Sequence, residues 1–404
     1  MSTPHAADAA GARPGSTYRA GRHFLFVPGP TNVPDRVLRA MHRPMEDHRS
    51  SAFPELTRSL LADLPKIVAT ESGQPFIFAA TGTGGWEAAL VNTCSPGAKL
   101  LGVRNGQFSH LFIETARKFG LDVQVIEVPW GEAVPADQVE EALRADAGHE
   151  ITGVLVVHNE TATGVTSDMA AVRAAIDAAG HPALLYVDGV SSIGSLPFQM
   201  DEWGVDLAIC GSQKGLMLPG GLGMVFASPK AIAAGETATC PRSFFDFGWM
   251  ASANATGYFP YTPALGLLFG LREALDMLFE EGLDNVFARH VRLAGGVRAA
   301  VDAWGLAQCC TQPDRASNSV TAVMTGASPA VIDIAFKTYN LSLGGGLGQM
   351  AGKLFRIGHL GDLNELMLLG AIAGAEMALA DAGVAVEPGS GVAAAQGHYR
   401  GSAR

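Results

Sequence analysis

Short apolar runs alternate with amphipathic helical stretches through the middle of the chain. A typical helical pattern covers 167–179, with Ser167 as its predicted N-cap and Gly180 just past its end. Strands that alternate with helices predict βαβ units on a mostly parallel sheet, whose ligands bind beyond the carboxyl ends of the strands. Seven runs have the length and composition of strands: Pro75–Ala80, Lys99–Val103, Val123–Val128, Gly153–His158, Ala183–Asp188, Leu207–Gly211 and Gly223–Ala227.

The pattern changes after a long helical stretch, 264–281, which ends at Gly282. A second helix is expected to begin near Asp284. The segments that follow are a strand-like run (Ser319–Val323) and a glycine-rich stretch (Gly344–Gly348). A closing helix is expected to begin near Asp362, which forms a capping box with Glu365. We therefore expect a disordered N-terminal tail (1–21), a large α/β domain with an N-terminal arm (22–284) and a small α+β domain (285–404).

Composition narrows the function classes. The 404 residues suggest about two domains, and the net charge of −11 disfavours binding to nucleic acid. Five cysteines without CxxC spacing predict reduced thiols rather than disulfides or a metal site. No apolar run reaches the ~18 residues that a membrane span needs. Residues 1–20 lack the apolar core of a secretory signal, so we expect a cytoplasmic protein with no membrane partner.

Lys214 is one of only seven lysines and directly follows the apolar run Leu207–Gly211. A lysine between small residues at the end of a strand is shielded from water, and desolvation favours its neutral amine. That form is the nucleophile that a Schiff base requires. A surface lysine in a turn is the alternative, and it is less favoured because the flanking residues are apolar or glycine.

Three further strand ends carry polar residues. Asp188 ends a buried strand, where a carboxylate needs a cationic partner such as a protonated pyridine nitrogen; taken alone, a helix N-cap would be the simpler interpretation. The glycine-rich turn 81–87 offers free N–H groups to a phosphate, but Glu87 breaks the dinucleotide-binding pattern and tight packing is the alternative. The segment 158–164 supplies hydroxyls, or is simply a polar turn.

Arg356 stands among apolar and small residues near the C-terminus. A buried arginine is costly without an anion, so it pairs either with an internal carboxylate or with the carboxylate of a ligand. The neighbouring Gly352–Lys353 approaches a phosphate-loop pattern, but its spacing fails and we reject it.

Taken together, these motifs resemble the class V pyridoxal-phosphate aminotransferases, most closely glyoxylate aminotransferases of the serine–glyoxylate and aspartate–glyoxylate types. The resemblance spans about residues 22–400. It implies fold type I, with a large domain on a mostly parallel seven-stranded sheet, a smaller α+β C-terminal domain, small-molecule substrates and a homodimer with sites at the subunit interface. The motifs are Pro28–Thr31, Asp47–Arg49, Gly82–Gly84, His158–Thr161, Asp188–Val190, Gly211–Lys214 and Arg356–Gly358.

The resemblance also implies a role for each site residue. Lys214 would hold pyridoxal 5'-phosphate and move the substrate proton, and Asp188 would pair with the pyridine nitrogen. Thr161 would hydrogen-bond near the phenolic oxygen, and Phe108 would stack on the ring. The phosphate would contact Thr83, Gly84, Gly85 and Gln213, joined across the dimer by Thr262 and a tyrosine, for which Tyr258 is preferred to Tyr261. Arg356, with Gly29 close by, would bind the substrate α-carboxylate.

The resulting hypothesis is a ping-pong transaminase that moves an amino group from an L-amino acid to glyoxylate and yields glycine. Aspartate is slightly favoured as the donor because Arg104 could pair its second carboxylate, with Arg49 and Arg242 as further candidates. Serine, which needs only a hydrogen bond, is close behind. A cysteine desulfurase would need a reactive thiol, for which Cys309–Cys310 lies in an unfavourable apolar setting. The broken glycine motif disfavours a nicotinamide-dependent oxidoreductase, and a non-catalytic binding protein would require an inert Lys214.

Overall fold

The computed structural model describes residues 21–402, so all but the last residue of the predicted disordered tail, 1–21, lies outside the described residues. The strands are β1 Phe24–Phe26, β2 Gln74–Phe78, β3 Lys99–Arg104, β4 Asp122–Glu127, β5 Ile151–Val157, β6 Asn159–Glu160, β7 Val165–Thr166, β8 Leu184–Asp188, β9 Leu207–Gly211, β10 Gly223–Ala227, β11 Val320–Met324, β12 Leu341–Gly345 and β13 Leu354–Gly358. The helices are α1 Asp35–Met41, α2 Phe53–Asp63, α3 Gly82–Thr93, α4 Gln107–Lys118, α5 Ala136–Ala145, α6 Met169–Ala178, α7 Pro229–Gly235, α8 Phe247–Ala255, α9 Leu265–Glu281, α10 Leu283–Ala303, α11 Ser328–Tyr339, α12 Glu365–Asp381 and α13 Ser390–Gly401.

All seven predicted strands join one sheet, in the order β2-β10-β9-β8-β5-β3-β4. Only β10 runs antiparallel to its neighbours, β2 and β9, and the other pairs are parallel. The predicted α/β fold with a mostly parallel seven-stranded sheet is therefore confirmed. In the register of the sheet, Asp188 lies beside Val157 on one side and Ile209 on the other, so the segments that follow β5, β8 and β9 meet at one edge.

The sheet is buried on both faces. Along β8, Leu185 and Val187 belong to one apolar core, and Leu184 and Tyr186 belong to the core on the opposite face. Successive side chains of a strand point to opposite faces, so a strand covered on both sides is apolar throughout its length. This explains why the sequence pattern of the central strands is a continuous apolar run.

A second, four-stranded sheet has the order β1-β12-β13-β11. Its first strand comes from the N-terminal arm that was predicted to belong with the large domain: β1 pairs in parallel with β12, and Phe26 is buried in the same core as Leu343 and Ile357. The chain then leaves this sheet through residues 27–31 and enters the region of Lys214, where Thr31 N donates to the carbonyl of Gln213.

Two predicted helix starts are wrong. Asp168, not Ser167, caps α6, and its Oδ1 accepts the N–H of Ala171 at 3.0 Å. The Ser167 hydroxyl instead accepts the N–H of Val134. Asn364, not Asp362, caps α12, so the predicted capping box is absent, and α13 rather than α12 is the last helix described. In both places several adjacent residues can cap a helix, and the tertiary packing selects one of them.

Candidate active site

The carboxyl ends of β5, β8 and β9 open into a cavity that contains seven of the predicted site residues. These are Gly29, Thr83, Phe108, Thr161, Asp188, Gln213 and Lys214. The same cavity is lined by residues that the sequence analysis had not selected individually: Pro30, Thr81, Gly82, Trp86, Asn159, Val190 and Ser191. Residues 29 and 214 are far apart in sequence, so the fold, rather than local sequence, brings them together.

Lys214 is buried, and its Nζ donates to the carbonyl of Pro28. Burial lowers the pKa of this amine to about 8, with a further decrease from the positive charge of Arg356, and Asp188 partly opposes both. Gly29 lies directly against the amine: its φ is +121°, and a Cβ at this position would come within 2.3 Å of Nζ. A side chain at residue 29 would thus occupy the space of the reactive nitrogen.

Asp188 ends β8 and lines the cavity, and its Oδ1 accepts the N–H of Val190 at 2.7 Å. Burial raises the pKa of this carboxyl to about 7, and the charge of Glu160 adds to the increase. The indole of Trp86 faces Asp188 and lowers that pKa, although its Nε1 has no partner within hydrogen-bond distance among the described residues. A cationic ring nitrogen bound here would stabilise the carboxylate.

The first turn of α3 forms the part of the cavity that suits a phosphate. The N–H groups of Gly82, Thr83 and Gly84 have no carbonyl one turn earlier to bond, and the N-cap Thr81 makes no side-chain capping bond. Gly85 was also predicted to contact the phosphate, but its N–H donates to Thr81 O at 3.0 Å within the helix. Neither Gly84 nor Gly85 lines the cavity; a Cβ at Gly85 would come within 2.7 Å of Ile209 on β9.

Arg356, on β13, adjoins the cavity without lining it. Its Nη1 donates to Thr161 O at 3.1 Å and its Nε to Gly345 O at 2.9 Å. Burial lowers its pKa to about 10, while the charge of Glu160 acts in the opposite direction. Among residues 21–402, none of the ion pairs within 4.0 Å includes this guanidinium. It remains available to a ligand carboxylate.

Arg104, Tyr258 and Thr262 do not line this cavity. Arg104 pairs with Glu127, its register partner on β4, through Nη1 and Oε1 at 2.8 Å. The Tyr258 hydroxyl donates to Ser50 O at 3.3 Å, and Thr262 is exposed. Tyr258 and Thr262 were expected to reach the phosphate of a partner subunit, and that assignment stays a prediction.

Two residues missed by the sequence analysis support the wall of the cavity. Asn159 follows β5, and its amide donates to the hydroxyls of Ser191 at 2.8 Å and Ser319 at 2.9 Å. Trp86 stacks on Phe112 with ring centroids 5.3 Å apart. The sequence contained a signal for both residues, since Asn159 directly follows a predicted strand and Trp86 belongs to the glycine-rich turn 81–87. The sequence could not show which members of these motifs face the ligand.

The cavity fits pyridoxal 5'-phosphate. The helix start suits its phosphate, Asp188 suits its ring nitrogen and the Lys214 amine suits its aldehyde. Two buried polar atoms of the wall, Trp86 Nε1 and Gln213 Oε1, have no partner among the described residues and are available to a ligand. A buried lysine and aspartate at the carboxyl edge of a doubly wound sheet define the class of fold type I pyridoxal-phosphate enzymes.

The chain belongs to the aminotransferase class-V family, which matches residues 23–350. It is 59% identical to a serine–glyoxylate aminotransferase of Methylorubrum extorquens, covering 95% of this chain and 98% of the relative. It is 55% identical to an L-aspartate–glyoxylate aminotransferase of Paracoccus denitrificans, covering 93% and 96%. The fold matches the crystal structure of a ureidoglycine–glyoxylate aminotransferase from Bacillus subtilis with a TM-score of 0.87 at 25% identity, covering 95% and 100%.

The family confirms the predicted enzyme class and cofactor: the protein is a pyridoxal-phosphate-dependent aminotransferase. Within residues 21–402, no helix is both long and apolar enough to cross a membrane. The same residues contain no group of three side chains that could hold a metal ion.

Proposed function

We propose that this aminotransferase moves the amino group of a small L-amino acid to glyoxylate, producing glycine and a 2-oxo acid in a ping-pong reaction. The observation that supports this proposal is the shared cavity of Lys214, Asp188 and the start of α3. Beside it lies the guanidinium of Arg356, which forms no ion pair among the described residues and donates to Thr161 O. The names of the two closely similar relatives support glyoxylate as the acceptor.

The residues have distinct roles in this proposal. Pyridoxal phosphate, when bound, would supply an electron sink for the deprotonated α-carbon and would carry the amino group between the two half-reactions. The Lys214 amine, whose pKa is lowered to about 8, accepts and returns the proton of the substrate α-carbon. Asp188 would keep the ring nitrogen protonated, the N-terminus of α3 would hold the phosphate, and Arg356 would orient the substrate carboxylate.

For the donor we propose L-serine ahead of L-aspartate. The sequence analysis favoured aspartate because Arg104 could pair a second carboxylate, but Arg104 is paired with Glu127 and does not line the cavity. Arg242 is also engaged, with Asp246 and with backbone carbonyls such as that of Val91. Arg49, the third candidate, is exposed and does not line the cavity. A second carboxylate buried without a cation is costly, whereas the hydroxyl of serine needs only a hydrogen bond.

We further propose a homodimer in the cytoplasm. Phe244 and Trp249 are 42% and 50% exposed, and both contact Tyr261, whose buried hydroxyl has no partner among the described residues. Exposed aromatic clusters commonly mark interfaces. This cluster adjoins Thr262, as expected if that residue reaches a partner's phosphate. The five cysteines lack the spacing of a disulfide framework, which supports a reducing compartment.

A desulfurase is not supported. Burial raises the pKa of both Cys309, to about 11, and Cys310, so neither thiol favours the reactive thiolate. Neither residue lines the cavity that contains Lys214.

The test compares the purified wild-type protein with Lys214→Ala. The wild type should show the visible absorption of protein-bound pyridoxal phosphate and should aminate glyoxylate faster than pyruvate. Lys214→Ala should lose both the absorption and the activity while remaining folded by circular dichroism. A Lys214→Ala protein with wild-type turnover would overturn the assignment of the catalytic amine.

A further inference from the structure

A buried carboxylate, that of Glu160, lies just outside the cavity in the segment that follows β5. Its Oε2 accepts the N–H groups of Phe108 at 3.1 Å and Ser109 at 3.0 Å, and the Ser109 hydroxyl at 3.2 Å. Its Oε1 accepts the N–H of Ala162 at 3.1 Å. One side chain therefore connects the start of α4 to the turn after β5.

Both connected segments contribute to the wall of the cavity, and the wall residues next to the Glu160 hydrogen bonds are Phe108 on α4 and Thr161 in the turn. The fit is tight on the α4 side, because a Cβ at Gly106 would come within 2.2 Å of Glu160 Cγ. An anionic oxygen at a helix N-terminus also gains from the positive end of the helix dipole. Glu160 is therefore placed to fix both segments at once.

Glu160 also acts electrostatically on the site. Its negative charge raises the pKa of Arg356 by attraction, although the two side chains form no ion pair within 4.0 Å, and raises the pKa of Asp188 by repulsion. A charge effect of this kind would persist in any carboxylate at this position. The hydrogen bonds, in contrast, depend on the reach of the glutamate side chain, so the two contributions can be separated.

We propose that Glu160 is a positioning residue that holds Phe108 and Thr161 in the arrangement that binds the cofactor ring. The proposal rests on the assignment of the cavity to pyridoxal phosphate. A glutamine cannot replace the carboxylate fully, because its NH₂ group would face a backbone N–H on one of the two segments.

Glu160→Gln and Glu160→Asp test this proposal in the cofactor-free protein and by titration with pyridoxal phosphate. Both variants should speed amide hydrogen exchange in the peptide 105–112 and weaken cofactor affinity about tenfold or more. A role through charge alone predicts that Glu160→Asp retains wild-type affinity, which would overturn the proposal.

Glu376→Gln is the matched control. Glu376 is also a buried carboxylate near a helix start, where it accepts the N–H of Gly391 at 2.7 Å and the indole N–H of Trp304 at 2.9 Å, but it does not line the cavity. Its loss should lower the melting temperature and leave cofactor affinity within twofold. If Glu376→Gln weakened the cofactor as much as Glu160→Gln, the effect would be one of general stability and the proposal would fail.

A double-mutant cycle with Phe108→Ala provides the decisive comparison. If Glu160 acts through Phe108, the Glu160→Gln loss of affinity should shrink in the Phe108→Ala background. If the losses of affinity in the two single variants were fully additive in the double variant, the proposal would be contradicted.

Should Glu160→Gln not fold, Ser109→Ala, which removes one donor to the same carboxylate, takes its place with a smaller expected loss of cofactor affinity. A wild-type protein that binds no pyridoxal phosphate would refute the cavity assignment itself, which is a different outcome from unchanged variants.

Discussion

At the scale of single residues, the chemistry depends on how unfavourable a charged Lys214 is inside the cavity. Burial and the nearby guanidinium of Arg356 both lower the pKa of its amine, and Gly29 leaves no side chain in the space of Nζ. The neutral amine is consequently accessible near neutral pH. The same arrangement must destabilise the cofactor-free fold whenever the amine is charged.

Replacing Lys214 by Met should therefore stabilise the cofactor-free protein at pH 7. The pKa of the amine is about 8 in the folded state and 10.5 in the unfolded reference, so the unfolded state binds more protons between those values. The loss of folding stability caused by burying the charged amine is fully present below pH 8 and disappears as the pH rises to 10.5. The advantage of Lys214→Met should be at most about 3 kcal/mol at pH 7 and should decline across that window.

Urea unfolding at several pH values checks this prediction. Lys337→Met, at a side chain that is 66% exposed, should shift the unfolding free energy by less than about 0.5 kcal/mol. Parallel pH profiles for wild type and Lys214→Met would show that the amine is not desolvated in the folded protein.

The two arginines considered for substrate carboxylates should behave differently. Arg356→Ala should lower kcat/KM about 100-fold for serine and aspartate alike, because both donors carry an α-carboxylate. Arg104→Ala should leave the ratio of the two kcat/KM values within about twofold, since Arg104 pairs with Glu127 outside the cavity. Steady-state kinetics at fixed glyoxylate measures both. A selective loss of aspartate turnover in Arg104→Ala would contradict the proposed donor preference.

At the scale of secondary-structure elements, the start of α3 combines an anion site with very close packing. A Cβ at Gly82 would come within 2.4 Å of Val190 Cγ2, and the N–H of Val190 holds Asp188. Gly82→Ala should therefore disturb the phosphate and ring-nitrogen ends of the cavity together. We expect about tenfold weaker binding of pyridoxal phosphate in a protein that still folds.

Equilibrium titration of the cofactor-free variants measures that loss. Gly397→Ala on α13 is the control, because no heavy atom lies within 4 Å of its added Cβ, and it should bind the cofactor as the wild type does. Equal affinity in Gly82→Ala and the wild type would mean that the helix start does not hold the phosphate.

Much of the site at this scale was predictable, for a physical reason. Asp188, Thr83 and Lys214 follow strands or open a helix, and the parallel topology forces such positions to one edge. Other features depended on contacts between distant segments. The register of β3 and β4 pairs Arg104 with Glu127, and β1 joins the smaller sheet through β12. Local patterns do not encode these pairings.

At the scale of the whole molecule, the exposed aromatic cluster is the surface through which we propose that two chains associate. Trp249→Asp should weaken dimerisation strongly, by placing a charge in a surface that is apolar and half-exposed in one chain. Sedimentation at several protein concentrations, with and without pyridoxal phosphate, measures the change. If Thr262 reaches the partner's phosphate, cofactor affinity should fall together with dimer stability.

Leu366→Asp serves as the control for this prediction. Leu366 is 78% exposed on α12, outside the aromatic cluster, and its replacement should leave association unchanged. A Trp249→Asp protein that dimerises like the wild type would place the interface elsewhere.

Amino transfer from serine to glyoxylate is the central claim, and an isotope experiment tests it most directly. The purified enzyme loaded with pyridoxal phosphate is supplied with glyoxylate and with serine whose amino nitrogen is labelled, and mass spectrometry follows the label. We expect glycine that carries the label and unlabelled hydroxypyruvate in equal amounts, with a higher kcat/KM for serine than for aspartate. Labelled serine that remains unchanged, while the cofactor is bound and Lys214 is intact, would contradict the proposed function.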